Sequence, residues 1–165
     1  MRSNHLPTDY QAFIHKSRYA RWLDKEARRE TWGETVSRYM EHIVIPNSGD
    51  NSYTSEIEQA ILALDVMPSM RALMTAGPAM ARDNTAGYNC SYLPVDDIKA
   101  FDEAMFILLC GTGVGFSVER QSVSKLPDIP ELFDSETSIV VKDSKEGWAK
   151  SLRQLIALLY SGEIP

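Results

Sequence analysis

The feature that most narrows the fold is a change of hydrophobic period within residues 88–119, from strand-like to helix-like and back. In Tyr88–Val95 (YNCSYLPV) the side chains alternate, so Tyr88, Cys90 and Tyr92 share one face while Asn89, Ser91 and Leu93 share the other. Pro94 limits that strand, and Asp96 or Asp97 is placed to cap the next element. Ile98, Phe101, Met105, Leu108 and Leu109 then recur as a wide helical stripe, with Gly111 as its stop and a second strand expected at Phe116–Glu119. Two strands joined through a helix predict a parallel βαβ unit, and hence an α/β fold.

The flanks read as support. Thr8 with Gln11 forms a capping signature for a helix carrying Tyr10, Phe13, Ile14 and Trp22 to about residue 24, an aromatic face expected to pack in a core. Thr31 and Glu34 repeat the signature ahead of Trp32, Val36, Tyr39, Met40 and Ile43, with Pro46 as the stop. Lys25, Arg28 and Arg29 between these helices read as a solvated connection. Pro46–Tyr53 reads as a linker, and Ser55 with Glu58 opens a third helix bearing Ile57, Ile61 and Leu64 that ends at Met67-Pro68. Residues 1–66 are thus expected to form an N-terminal helical region, and residues 67–165 the start of an α/β domain. Beyond a long connection after Arg120, Ser138–Lys142 is expected as a short strand. Asp143 with Glu146 should cap a last helix bearing Trp148, Leu152, Leu155, Ile156 and Leu159, whose Gly162–Pro165 end is where another strand belongs.

Bulk properties exclude some functions. Lys+Arg of 17 against Asp+Glu of 23 gives a net charge of −6, which argues against a nucleic-acid or membrane-surface partner. The longest apolar run, Ala104–Cys110, is too short to span a bilayer, and Met1–Thr8 lacks a secretory apolar core, so a cytoplasmic location is expected. Two cysteines in a reducing compartment read as free thiols, and no Cys/His spacing suggests zinc.

Three places could carry chemistry. Gly111–Phe116 (GTGVGF) ends a helix and opens a strand, the reverse of a dinucleotide fingerprint; its glycines could admit a ligand to the backbone or serve only as a tight turn. Cys90 lies in a strand expected to line the sheet interior, where a buried structural cysteine is the default. Cys110, at the end of the apolar helix, reads as packing. Ser69, within MPSMRALMTAG, either enters the core with its loop or holds a phosphate.

The ordered series MPSMRALMTAG, NCSYLPV, helix, GTGVGFSVER and DSKEGW resembles the N-terminal part of the ribonucleotide reductase catalytic chain. The likeness is greatest to the monomeric, adenosylcobalamin-dependent (class II) ribonucleoside-triphosphate reductases, including phage-encoded ones, and FIHKSRYARW and RRETWGETVSRY extend it over essentially the whole chain. The resemblance implies the first strands and helices of a ten-stranded α/β barrel and thiyl-radical reduction of ribonucleotides. Cys90 would be the first of the reducing cysteine pair, Asn89 and Gly113 would contact substrate, and Ser69 would lie in a substrate-contacting segment; Arg71 departs from many relatives. It also implies an adenosylcobalamin site outside this chain, a deoxynucleotide effector and a thioredoxin-type reductant.

The family's radical cysteine, second reducing cysteine and shuttle cysteines have no counterparts before Pro165, and no N-terminal ATP-cone is recognisable. The chain is therefore expected to be a truncated or split part of a reductase, inactive without the remaining C-terminal part. Two alternatives stand beside it: a large-subunit fragment of a class I ribonucleoside-diphosphate reductase, and a non-catalytic nucleotide-binding or interaction module.

Overall fold

The structure, a computed structural model, describes residues 6–50 and 52–165. Residues 1–5, on which most of the Met1–Thr8 reading rests, and Asn51 of the linker lie outside the described residues. Two compact units divide the chain, Met1–Gly87 and Tyr88–Pro165, a boundary later than the compositional one at residue 66.

The first unit is helical: α1 (Asp9–Ile14), α2 (Trp32–Tyr39), α3 (Ile45–Asn47), α4 (Thr54–Ala63), α5 (Met70–Thr75) and α6 (Pro78–Arg82), with an antiparallel pair β1 (Trp22–Leu23) and β2 (Arg28–Arg29). The Thr31–Glu34 signature forms a complete capping box at the start of α2. Trp32, Val36 and Met40, four residues apart on one face, pack with Ile61 of α4 and Leu73 of α5 as the buried core.

A polar hub crosses that core. The buried Glu30 carboxylate accepts from Arg38 Nε at 2.8 Å and Nη2 at 2.9 Å, from the Arg21 amide at 3.0 Å and from Thr35 Oγ1 at 3.0 Å. Arg38 also donates to the Leu73 and Ala76 carbonyls of the α5 end, each at 2.9 Å. Because the Thr35 proton goes to Glu30, His15 Nε2 must be the donor in its 2.9 Å bond to Thr35 Oγ1, which fixes the tautomer. Burial would raise the Glu30 pKa, but the bonds from Arg38, Arg21 and Thr35 outweigh it and hold the carboxyl below its ordinary value.

In the second unit, β3 (Cys90–Pro94), α7 (Ala100–Leu109) and β4 (Gly113–Ser117) form the expected parallel βαβ unit. Next come α8 (Arg120–Val123), β5 (Phe133–Asp134), α9 (Lys145–Tyr160) and β6 (Glu163–Ile164); β6 supplies the strand expected after the last helix and pairs in parallel with β5. Helix α7 packs on α9, joined by buried Asp102, whose Oδ2 accepts from Arg153 Nε at 2.8 Å and lies 2.6 Å from Nη2.

Several expectations are corrected. The Thr8 hydroxyl does accept from the Gln11 amide, but the first helix widens into a π turn at His15–Tyr19 and ends there, leaving Trp22 in β1. Tyr10 and Phe13 are 72% and 65% exposed, so that aromatic face is not core. Pro46 does not stop the second helix: a π turn at Met40–Val44 precedes it, and the helix runs on to Asn47 because the wider turn accommodates the missing donor. Helix α4 starts at Thr54 without a side-chain cap, and Leu64 in the left-handed region closes it ahead of Met67-Pro68. Asp97 accepts from the Lys99 amide one step before α7 instead of capping it, and Ser144, not Asp143, caps α9. Leu108 and Leu109 of the α7 stripe are exposed, while Ala100 and Asp102 are buried. Ser138–Lys142 forms no strand: β-branched residues favour a pleated surface only where a partner strand offers a ladder, and Val140 is 91% exposed.

Candidate functional site

The site is the outer face of the β3–β4 pair. The parallel register sets Cys90 opposite Gly113, Ser91 opposite Val114 and Tyr92 opposite Gly115. Paired residues share a face, so Cys90 and Tyr92 stand beside two positions without side chains. Cys90 is exposed, correcting the expectation of an interior cysteine; in β3 the exposed Cys90 and Tyr92 alternate with the half-buried Ser91 and Leu93. Gly113 and Gly115 lie within β4, three residues ahead of the expected strand start; Gly111 alone makes the turn.

That turn is well determined. Gly111, at φ 86°, donates to the Leu108 carbonyl at 2.9 Å and Thr112 donates to Ile107 at 3.2 Å, the two crossed bonds of a Schellman helix end. The Gly113 amide then donates to the Asn89 carbonyl at 2.9 Å, and Ser91 Oγ donates to the Gly113 carbonyl at 3.1 Å. The structure thus brings Asn89, Cys90 and Gly113 together.

Ser69 belongs to the first unit, where it is exposed and precedes α5, its side chain making no capping bond; the expected loop is in fact that helix. Neither Cys90 nor Cys110 is in a disulfide. Cys110 is half-buried at the end of α7, and Lys145 Nζ donates to its Sγ at 3.3 Å while lying 4.8 Å from the Phe106 ring centre. Sequence patterns did not single out Thr112, the Glu30–Arg38 pair or the Lys145–Cys110 contact. A polar β-branched residue between two glycines was the one available signal for Thr112.

Among the described residues no group of His, Cys, Asp and Glu is arranged to hold a metal ion, and no helix is long and apolar enough to cross a membrane.

No protein-family profile matches the chain. It is 29% identical over 172 aligned positions to an adenosylcobalamin-dependent ribonucleoside-triphosphate reductase of Lactobacillus delbrueckii subsp. bulgaricus, covering 84% of this chain and 23% of the relative. The chain is similar to class II ribonucleotide reductases. Reductases of the same description from Lactobacillus leichmannii (28% identity, 84% of this chain, 23% of the relative) and Lactobacillus gasseri (29%, 79% and 22%) match alike. A crystal structure of a B12-dependent (class II) ribonucleotide reductase superposes with a TM-score of 0.71 at 24% identity, over 92% of this chain and 30% of that one. The resemblance read from the motifs therefore stands, and the fold is that of a class II reductase segment. The chain spans about a quarter of the length of the curated relatives it matches.

Proposed function

We propose that this chain is the N-terminal, substrate-side portion of an adenosylcobalamin-dependent ribonucleoside-triphosphate reductase, with Cys90 as one of two cysteines that reduce the ribose. The observation that carries the proposal is an exposed thiol held in register beside a glycine, on a βαβ unit within a chain similar to such reductases. Residues 67–165 would open the catalytic α/β barrel and residues 1–66 would support it. Cys90, Asn89 and Gly113 would meet the substrate sugar, and Ser69 would lie in a segment that the resemblance makes substrate-contacting.

The chemistry asks for a thiol at this point. Two thiols give up two electrons and two protons as they become a disulfide; the 2′ hydroxyl leaves as water and hydrogen takes its place. Gly113 leaves the flank of Cys90 open, so a sugar can approach the sulfur without displacing a side chain. Adenosylcobalamin, when bound, supplies the radical that starts the reaction. No residue of this chain is assigned to hold that cofactor. The cofactor belongs to the remaining part of the reductase, as do the radical cysteine and the second reducing thiol. A ribonucleoside triphosphate, a deoxynucleotide effector and a thioredoxin-type reductant complete the partners, with no nucleic acid or membrane, in the cytoplasm of a bacterium or a phage host.

Co-expression with the remaining part of the catalytic chain tests this. Ribonucleoside-triphosphate reduction should appear on adding adenosylcobalamin and should be lost in Cys90→Ser; full turnover by Cys90→Ser would remove the assigned role.

A further inference from the structure

Cys90 is the first residue of β3, and the Cys90–Gly113 pair is the first of the ladder. The end of a two-stranded ladder is where strands fray, so something beyond the ladder must hold the thiol in register. Thr112 is placed to do this. It is 2% exposed, its amide is bound to Ile107 at the end of α7, and its Oγ1 donates to the Tyr88 carbonyl at 2.9 Å, upstream of Cys90. A valine would fill the same space without the hydroxyl, whose bond to Tyr88 ties the helix end to the strand entry.

We propose that Thr112 is a positioning residue for the reducing thiol: its hydroxyl rivets the chain entering β3 to the end of α7 and so fixes Cys90 against Gly113. The inference rests on the reading of Cys90 as a reducing thiol, and its test separates the two. Thr112→Val keeps the volume and removes the bond; Thr112→Ser restores the hydroxyl. In this chain, amide hydrogen exchange at Gly113, whose amide bonds to Asn89, should quicken about tenfold in Thr112→Val, with exchange of the Phe116 amide unchanged and Thr112→Ser close to the parent. In the reductase assembled with its remaining part, kcat of Thr112→Val should fall by a similar factor at unchanged KM, with recovery in Thr112→Ser. Exchange unaltered at Gly113, a uniform rise across β4, an unchanged kcat, or failure of Thr112→Ser to rescue would each overturn the proposal. Full activity in Cys90→Ser would instead overturn the role of the thiol, leaving the exchange result as a measure of Thr112 alone.

Discussion

Replacing Gly113 with alanine separates a glycine kept for the fold from one kept for a ligand. A Cβ built at Gly113 would meet one atom within 4 Å, the Asn89 carbonyl oxygen at 3.5 Å, which is ordinary van der Waals contact, and the backbone there is not left-handed. The folded chain therefore gives no steric reason for glycine. Because alanine also reduces the freedom of the unfolded chain, Gly113→Ala should leave stability unchanged or raise it by about 0.4–1 kcal/mol. The new methyl, however, projects from the face that carries Cys90, where a sugar would have to approach. An intruding methylene in a close-packed contact costs about 1–3 kcal/mol, which corresponds to roughly 5- to 150-fold in substrate KM. Thermal unfolding of the chain and steady-state kinetics of the assembled reductase measure the two sides. Equal or higher thermal stability with impaired substrate use is the expected result. An unimpaired KM and kcat would refute the claim that this glycine serves a ligand. Gly147 supplies the contrast, since a Cβ there would collide with the Lys142 carbonyl at the start of α9; Gly147→Ala should lower stability whatever the substrate.

Two further outcomes concern stability. Arg153→Met should destabilise the second unit, because it strands the buried Asp102 carboxylate, while the double change Asp102→Leu with Arg153→Met should recover most of the loss; urea unfolding of the variants checks both. Acid should weaken the first unit in two stages. Burial depresses the His15 pKa below 6.5, so its contribution is complete above that value and falls away as pH drops through it and the unfolded chain takes up the proton. The Glu30 carboxyl is also depressed, from 4.5, so its contribution is present above 4.5 and is lost as pH falls further. A pH series of unfolding midpoints should show the first stage vanish in His15→Asn and the second persist.

What could be read from the chain was whatever local period decides. Alternation in Tyr88–Val95, the α7 stripe and the glycine stop specified β3, α7 and β4 because each pattern pairs with a single geometry, and the Thr31–Glu34 box marked α2 to the residue. Tertiary partners decided the rest. Tyr10 and Phe13 have the spacing of a buried stripe, but the core was already claimed by Trp32, Val36 and Met40. Ser138–Lys142 has strand composition without a ladder, while the nondescript Phe133–Asp134 gained one from Glu163–Ile164. Glu30 and Arg38 are unremarkable charges eight residues apart until folding buries them together.

Cys90 shows the same limit at the site itself. Composition favours a buried thiol, yet exposure depends on which face of the strand the helix covers, and alternation defines two faces without saying which is inside. The deciding residues are on the other strand. Gly113 and Gly115 stand opposite Cys90 and Tyr92 and offer α7 no side chains to pack against, whereas Val114, opposite Ser91, does. Ser91, Leu93 and Val114 are accordingly half-buried, and the thiol is left outward. The glycine pattern thus determines both the exposure of Cys90 and the open flank beside it. Exchanging Gly115 for valine would put an apolar side chain on the thiol's face, against the Tyr92 ring, whose Cδ2 lies 3.6 Å from a Cβ built there. Alkylation of Cys90 by iodoacetamide should slow in Gly115→Val while alkylation of Cys110 stays constant. An unchanged Cys90 rate would mean that something other than the glycines keeps that face open.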